Sequence, residues 1–324
     1  MSDESEDQEY TSYYGRPVVK PSPWVVDIPI YMFAGGLAAT SSLLAAGGQL
    51  TDRPDLRRVG RLTSAAGLSA SLFFLIHDLG RPERFLNMLR TIRLTSPMSI
   101  GTWLLSGYGA PAGVAALDEI VRLTPLDPKR GPVRLLRRVG PWADIAAALT
   151  APPVATYTAV LLSDTSTPSW FAAQRELAFV FAGSAAAAGG GVAMIFVPVD
   201  QASPARKMAV AGAAVELAVE RVMEKSMGVT AEPLHEGKAG RYMRASKVLT
   251  AGGALGAVLG GRRRWAAALS GAALAAGSLC TRIGVFEAGQ ASARDLKYTV
   301  IPQRERLEKN EPVRFTHREE QPSE

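Results

Sequence analysis

The sequence is poor in residues that hold redox centres. Its 324 residues include one cysteine, Cys280, and three histidines, His77, His235 and His317. A single cysteine forms no internal disulfide and cannot ligate an iron–sulfur cluster alone. Two bis-histidine haems would need more histidines than the chain has, which excludes a dihaem cytochrome b. No haem, cluster or metal site is therefore expected within this chain. The opening "MSDESEDQEY" has no basic run of the kind that begins a secretory signal, so the first apolar segment is expected to be a retained span. Aromatic residues make up only 7% and do not interleave with a basic stripe. The sequence pI of about 9.5 therefore does not point to nucleic acid.

What the sequence does have is segregation. Hydrophobic residues make up 47%, yet the mean hydropathy is only +0.07. Residues 1–23 and 288–324 read as polar tails, and 24–287 as a transmembrane domain of apolar blocks joined by short basic loops. The net charge of +6 lies largely in those loops, as topology signals do. Apolar stretches at 24–50, 60–79, 97–121, 141–163, 176–199, 205–224, 246–262 and 264–287 predict an all-α, eight-helix multi-pass bundle in the cell membrane. The first, third, fourth, fifth and eighth are long enough to cross hydrocarbon unaided. The sixth carries two glutamates and the seventh is short and glycine-rich; a seven-span chain would merge or drop the seventh. Runs such as "AGSAAAAGGGVAM" suit close helix packing in lipid, and suit equally a GC-rich genome. Loop charges lean toward cytoplasmic loops after the odd spans, while the basic C-terminal tail argues the other way.

With eight spans, most ionisable groups in or near a span gather at one end of the bundle, Asp118 and Asp144 excepted. Asp27 and Tyr31 open the first span, one helical turn apart. His77, Asp78 and Arg81 end the second, in "FFLIHDLGRPERFLNML". Trp103 lies early in the third, Tyr157 late in the fourth, and Glu216 and Glu220 late in the sixth. Intramembrane ionisable groups are costly and are functional candidates by default. In "APPVATYTAV", Pro152 and Pro153 remove two amide donors, and a helix break there is expected to line a cavity beside Tyr157. Each group also has a plainer role. Asp27 suits a helix cap, Tyr157 an interfacial aromatic, and Arg81 a lipid-headgroup contact. His77 suits a local pair with Asp78, and Glu216 and Glu220 a solvated helix end.

Several stretches resemble the NrfD/polysulfide-reductase membrane-subunit family: "YYGRPVVKPSPWVVDIPIYMFAGGLAA", "DLGRPERFLNML", "SPMSIGTWLLSGYG", "YTAVLLS" and "TRIGVFEAGQASARD". They run from about residue 13 to 300, and "DLGRPERF" with "SPMSIGTW" is the most specific pair. The resemblance implies an eight-helix subunit without a bound redox metal. Such a subunit exchanges electrons between a menaquinone-type quinone and a four-cluster iron–sulfur protein docked on one face. That protein in turn serves a molybdopterin-type catalytic subunit. The resemblance also implies that Asp27 and Tyr157 bind quinone, with a looser carry-over to His77. Tyr31, Asp78, Arg81 and Trp103 would surround the same site, and Glu216 and Glu220 would relay protons. A transporter or proton channel would use broken helices too, but it predicts internal repeats that the sequence does not show. A purely scaffolding subunit would carry no quinone site.

Overall fold

The computed structural model describes residues 18–308 other than 80, 82–86, 88, 91, 94 and 130. Among these residues the chain is helical and has no strand. Four long helices come first: α1 (Asp27–Leu50), α2 (Pro54–Asp78), α3 (Pro97–Arg122) and α4 (Gly131–Ser163). A short α5 (Pro168–Ala172) leads into α6 (Leu177–Phe196), α7 (Ser203–Ser226), α8 (Gly237–Gly260) and α9 (Arg264–Arg294). A 3-10 turn at Gly228–Leu234 joins α7 to α8, and α10 (Lys297–Glu308) follows α9.

Local chemistry sets the boundaries. Proline stands at the start of α2, α3, α5 and α7, where its missing N–H costs nothing and its fixed φ suits the first turn. Ser96 caps α3 by accepting from the Ser99 amide. The expected break at Pro152–Pro153 is absent: α4 runs unbroken through Pro141, Pro152 and Pro153. Both prolines of the pair are exposed on the outer side of the helix, where their rings displace no packed neighbour. Several helices outrun the apolar stretches that announced them. Polar turns extend α2 back to Pro54, α4 to Gly131 and α8 to Gly237, and α9 continues to Arg294.

Five helices are long and apolar enough to cross a membrane: α1, α2, α4, α6 and α9. The set differs from the sequence expectation by one exchange. Helix α2 qualifies through "LFFLI". Helix α3 does not, because glycine, serine, proline and buried Asp118 and Glu119 dilute its apolar content.

Helix α1 is the central element. It packs against α2 and α4 on one side and α6 and α9 on the other, so the α1–α4 and α6–α9 groups share it. Small residues also permit close packing of α6 on α7. A Cβ on Gly183 would fall 2.7 Å from the Glu216 nitrogen, and one on Gly212 would fall 2.6 Å from the Gly183 oxygen. Backbones of α6 and α7 therefore touch, as glycine-rich membrane interfaces allow.

The bundle has two distinct ends. At one, here the strap end, Gln290 donates to the carbonyls of Ser22 (2.9 Å) and Trp24 (3.3 Å). There also Ser169 Oγ donates to Thr230 O at 2.8 Å, Lys238 pairs with Glu287 at 2.6 Å, and Lys297 pairs with Glu232. The Glu232 carboxylate holds the Lys297 ammonium above its usual range. At the far end, Arg53 and the Asp55 amide bond Gln201, and Arg206 donates to Gly261 O. Residues at the start of the strap, after α2 and in α10 therefore share one side. With Cys280 replaced, single cysteines at Lys20, Asn87 and Gln303 should all label from the same side of sealed vesicles, and one at Thr124 from the other. Labelling of Asn87 and Lys20 from opposite sides would disprove this arrangement.

Candidate functional site

A cavity of about 250 Å³ opens at the strap end between α1, α2, α3 and α4. Its walls are mostly apolar, with Trp24, Ile28, Leu75, Met98 and Leu161 contributing. The polar groups on the wall are Tyr31, Tyr157, Asp78 and Thr102. Thr102 Oγ1 already donates to Met98 O at 3.0 Å, so its proton is spent within α3. Tyr31 and Tyr157 share a hydrogen bond between their hydroxyls, and their rings meet edge to face at 6.4 Å and 70°. Two phenols bring two protons and the mutual bond uses one, which leaves one O–H to donate into the cavity. Tyr31 and Tyr157 are 3% and 9% exposed, so a bond made there is made out of water.

Tyr157 is placed by an absence on α3. A Cβ on Gly101 would stand 2.5 Å from Tyr157 Cε2, so only glycine lets the ring lie against that helix. The roof is placed by the last long helix. Trp24 stacks on Trp170 at 6.0 Å, and Trp170 Nε1 donates to Val285 O at 2.8 Å. The strap before α1 is thereby pinned across the cavity mouth. Asp78 accepts from the Val25 amide at 3.4 Å, which ties the end of α2 to the same strap.

Asp27 and His77 meet beside the cavity. His77 Nδ1 lies 2.6 Å from Asp27 Oδ2, with the His77 side chain 66% exposed and that of Asp27 only 18%. Phe73 stacks on the imidazole at 5.8 Å. Neither residue lines the cavity, but their neighbours Ile28 and Asp78 do. The pair connects the cavity edge to the surface of the bundle.

The sequence profile described as "Polysulphide reductase, NrfD" matches residues 18–223, which contain the whole of this site. The chain belongs to the NrfD polysulphide reductase family. It is a multi-pass membrane protein. The selenate reductase C subunit of Mesobacillus selenatarsenatis is 34% identical over 90 residues, covering 27% of this chain and 20% of that protein. The chain thus spans about one fifth of the length of that curated relative.

The remaining expected site residues of this NrfD-family chain lie apart from the cavity. Trp103 is 40% exposed and faces outward from α3, whereas its neighbour Thr102 faces in. Arg81 is exposed, and the rest of the "GRPER" stretch, Gly80 and residues 82–84, lies outside the described residues. Glu216 and Glu220 are buried in the other half of the bundle. There Thr281 donates to Glu216 Oε1 at 2.5 Å and shares a 2.6 Å bond with Ser246. Lys247 lies 3.6 Å from Glu220 and 2.7 Å from Glu224, which leads the cluster toward the strap end. Arg282 donates to Phe181 O at 2.9 Å, and its Nε and Nη1 have no hydrogen-bond partner among the described residues. Glu216 Oε2 is in the same condition.

A second charged cluster was not foreseen. Arg61 on α2, 2% exposed, lies 2.8 Å from Asp118, 3.2 Å from Glu119 and 3.2 Å from Asp144, and donates to Gln49 at 2.7 Å. It joins α1, α2, α3 and α4 toward the far end. One turn along α2, Ser64 and Ser42 both bond Tyr108 (2.7 and 2.9 Å) and each other (2.8 Å). The sequence held one signal for the charged cluster: Asp118 and Asp144 fell outside the polar end, and the loop arginines accounted for neither.

Proposed function

We propose that this chain is the quinone-reactive membrane subunit of a multi-subunit respiratory oxidoreductase. It would pass electrons between a menaquinone-type quinone and a ferredoxin-like four-cluster iron–sulfur subunit, which serves a molybdopterin-type catalytic subunit. All eight long helices would then span the membrane, between polar tails at 1–23 and 288–324. The observation that carries the proposal is the cavity at the strap end, apolar in its walls and furnished with a spare phenolic donor. Ligand pockets for small apolar molecules have this makeup: apolar walls and a few placed polar groups. A relative named as the C subunit of a selenate reductase supports a place in a multi-subunit reductase.

A bound quinone would supply reversible two-electron, two-proton chemistry at its ring carbonyls; the chain's residues supply the rest. The free hydroxyl of the Tyr31–Tyr157 pair would donate to one carbonyl. That hydrogen bond strengthens as the oxygen gains negative charge on reduction. Trp24 and Ile28 would hold the ring and exclude water. Asp78, and the Asp27–His77 pair beside it, would carry protons between the cavity edge and the surface, with carboxylate and imidazole as acid and base. Arg81 and the exposed Trp103 would contact partner or lipid at the same end. Glu216 and Glu220 would relay protons in the α7–α9 cluster. Arg282 extends that cluster to α1, since a Cβ on Gly36 would lie 3.4 Å from its Nη2.

Asp27→Asn keeps a polar side chain at the start of α1 but removes the base that faces His77. In assembled complex it should lower the maximal rate of quinone turnover several-fold with little change in apparent quinone affinity. Turnover with a soluble artificial donor to the partner subunits should stay at the wild-type rate. A scaffolding subunit requires the opposite: no effect of Asp27→Asn on either assay, and no saturable quinone dependence in the wild-type complex.

A further inference from the structure

Tyr157 is a wall of two spaces. Its inner side closes the cavity already described, and its outer side closes a crevice of about 310 Å³ between α3 and α4. The crevice is lined by Thr95 just before α3, by Pro97, Ile100 and Leu104 from α3 and by Pro153, Thr156 and Val160 from α4. Among the described residues, no charged side chain lines it. The Thr156 hydroxyl is already committed, because its Oγ1 donates to Pro152 O at 3.1 Å. Ile100 is 39% exposed and Val160 50% exposed, so the crevice opens on the outer surface of the bundle.

The two spaces lie on either side of one seam. Met98 and Thr102 face the cavity, while Ile100 and Leu104 face the crevice, and Gly101 stands between them. Opposite Gly101 the partition is a single aromatic ring, because α3 offers no side chain there. The cavity is smaller than the roughly 300–1,000 Å³ usual for drug-sized ligands. It has room for a ring system but not for a long chain as well.

We infer that the crevice between α3 and α4 is the binding groove for the isoprenoid tail of the quinone, and that the Gly101–Tyr157 seam is the gate through which the ring passes between lipid and cavity. The inference rests on the quinone assignment and adds a second subsite to it. It gives Tyr157 two jobs, as donor to the ring and as movable partition. It also gives the exposed Pro153 a use: a proline side chain presents hydrocarbon and no N–H to the groove. A lipid acyl chain has the same chemistry as an isoprenoid tail, and the experiment separates the two.

The test compares a long-tailed menaquinone with a ring-only naphthoquinone in membranes holding the assembled complex. The readout is the ratio of kcat/KM for the two substrates. Ile100→Trp and Val160→Trp fill the crevice from opposite helices and should each lower the ratio about ten-fold or more. Leu149→Trp, on the exposed outer side of α4 and away from both spaces, should leave the ratio where it is. A menaquinone bearing a photoreactive group on its tail should crosslink to peptides of α3 and α4, a result that needs no variant to fold. An unmoved ratio in Ile100→Trp and Val160→Trp, with crosslinks scattered over the bundle, would mean that the crevice holds acyl chains and would overturn the inference. A fall in Met98→Trp alone would send the tail between α2 and α3 and overturn it too. Absence of turnover with either quinone in the wild-type complex would remove the quinone assignment itself, a failure distinct from the other two.

Discussion

Tyr157→Phe is expected to assemble normally and to lose most quinone-dependent turnover. The phenyl ring keeps its seat against Gly101, so packing of α3 on α4 survives. What goes is the hydroxyl that pairs with Tyr31. Tyr31 then has one proton and no phenol partner, and the cavity loses its ordered two-hydroxyl donor. A hydrogen bond to a group carrying charge is worth about 1.5–3 kcal/mol, and the ring oxygens gain charge during reduction. The rate with quinone should therefore fall about 10- to 100-fold, while turnover with soluble artificial donors at the partner subunits stays near the wild-type value. Tyr31→Phe should act in the same direction, and the double variant should cost more than either single one, because each single variant still leaves one phenolic proton and the double variant leaves none. Wild-type quinone turnover in both single variants would move the site away from this cavity.

Arg61→Ala should be the most damaging single change in the bundle. It would leave Asp118, Glu119 and Asp144, each 1% exposed or less, facing one another without the guanidinium that now lies within 3.2 Å of all three. Breaking a buried pair by removing one partner costs about 3–5 kcal/mol, and here the orphaned group is threefold. Arg57 and Arg122 still reach Glu119 and Asp118 from the rim, but among the described residues nothing else bonds Asp144 in this way. The measurement is the yield and melting temperature of detergent-solubilised protein. Arg61→Lys should recover only part of the loss, because a point charge cannot serve three carboxylates as a planar fork does. Arg61→Met combined with Asp144→Asn should recover more than Arg61→Met alone. A wild-type melting temperature for Arg61→Ala would show that the carboxylates are not held as charges.

The helices were legible because lipid-compatible runs are local signals. The same holds for Tyr31, Tyr157 and Asp78: helical spacing and span ends placed them at one end of the bundle, and the fold brings them to one cavity. What could not be read depends on contacts far apart in sequence. Arg61 meets carboxylates 57, 58 and 83 positions away, and as a string it looks like one more loop arginine. Trp103 and Thr102 are adjacent in sequence, yet the helix turns one outward and the other into the cavity, a difference of about 100° per residue that the aromatic signal concealed. Glu216 and Glu220 lie in the half of the bundle away from the cavity, and sequence order does not reveal that α1 stands between the two groups of helices. The uninterrupted α4 shows the limit of a backbone rule. Proline removes hydrogen bonds wherever it stands, but on an exposed helix surface the helix can run on past it.

The strap has a consequence for how the protein is made. It emerges from the ribosome well before α9, yet two of its anchors, Val285 through Trp170 and Gln290 directly, belong to that last long helix. Until α9 has been inserted, the roof over the cavity is held, among the described residues, only by the Val25–Asp78 bond and the Trp24–Trp170 stack, and its fastening is complete only in the finished chain. Truncated or half-inserted chains therefore present a different surface at the strap end.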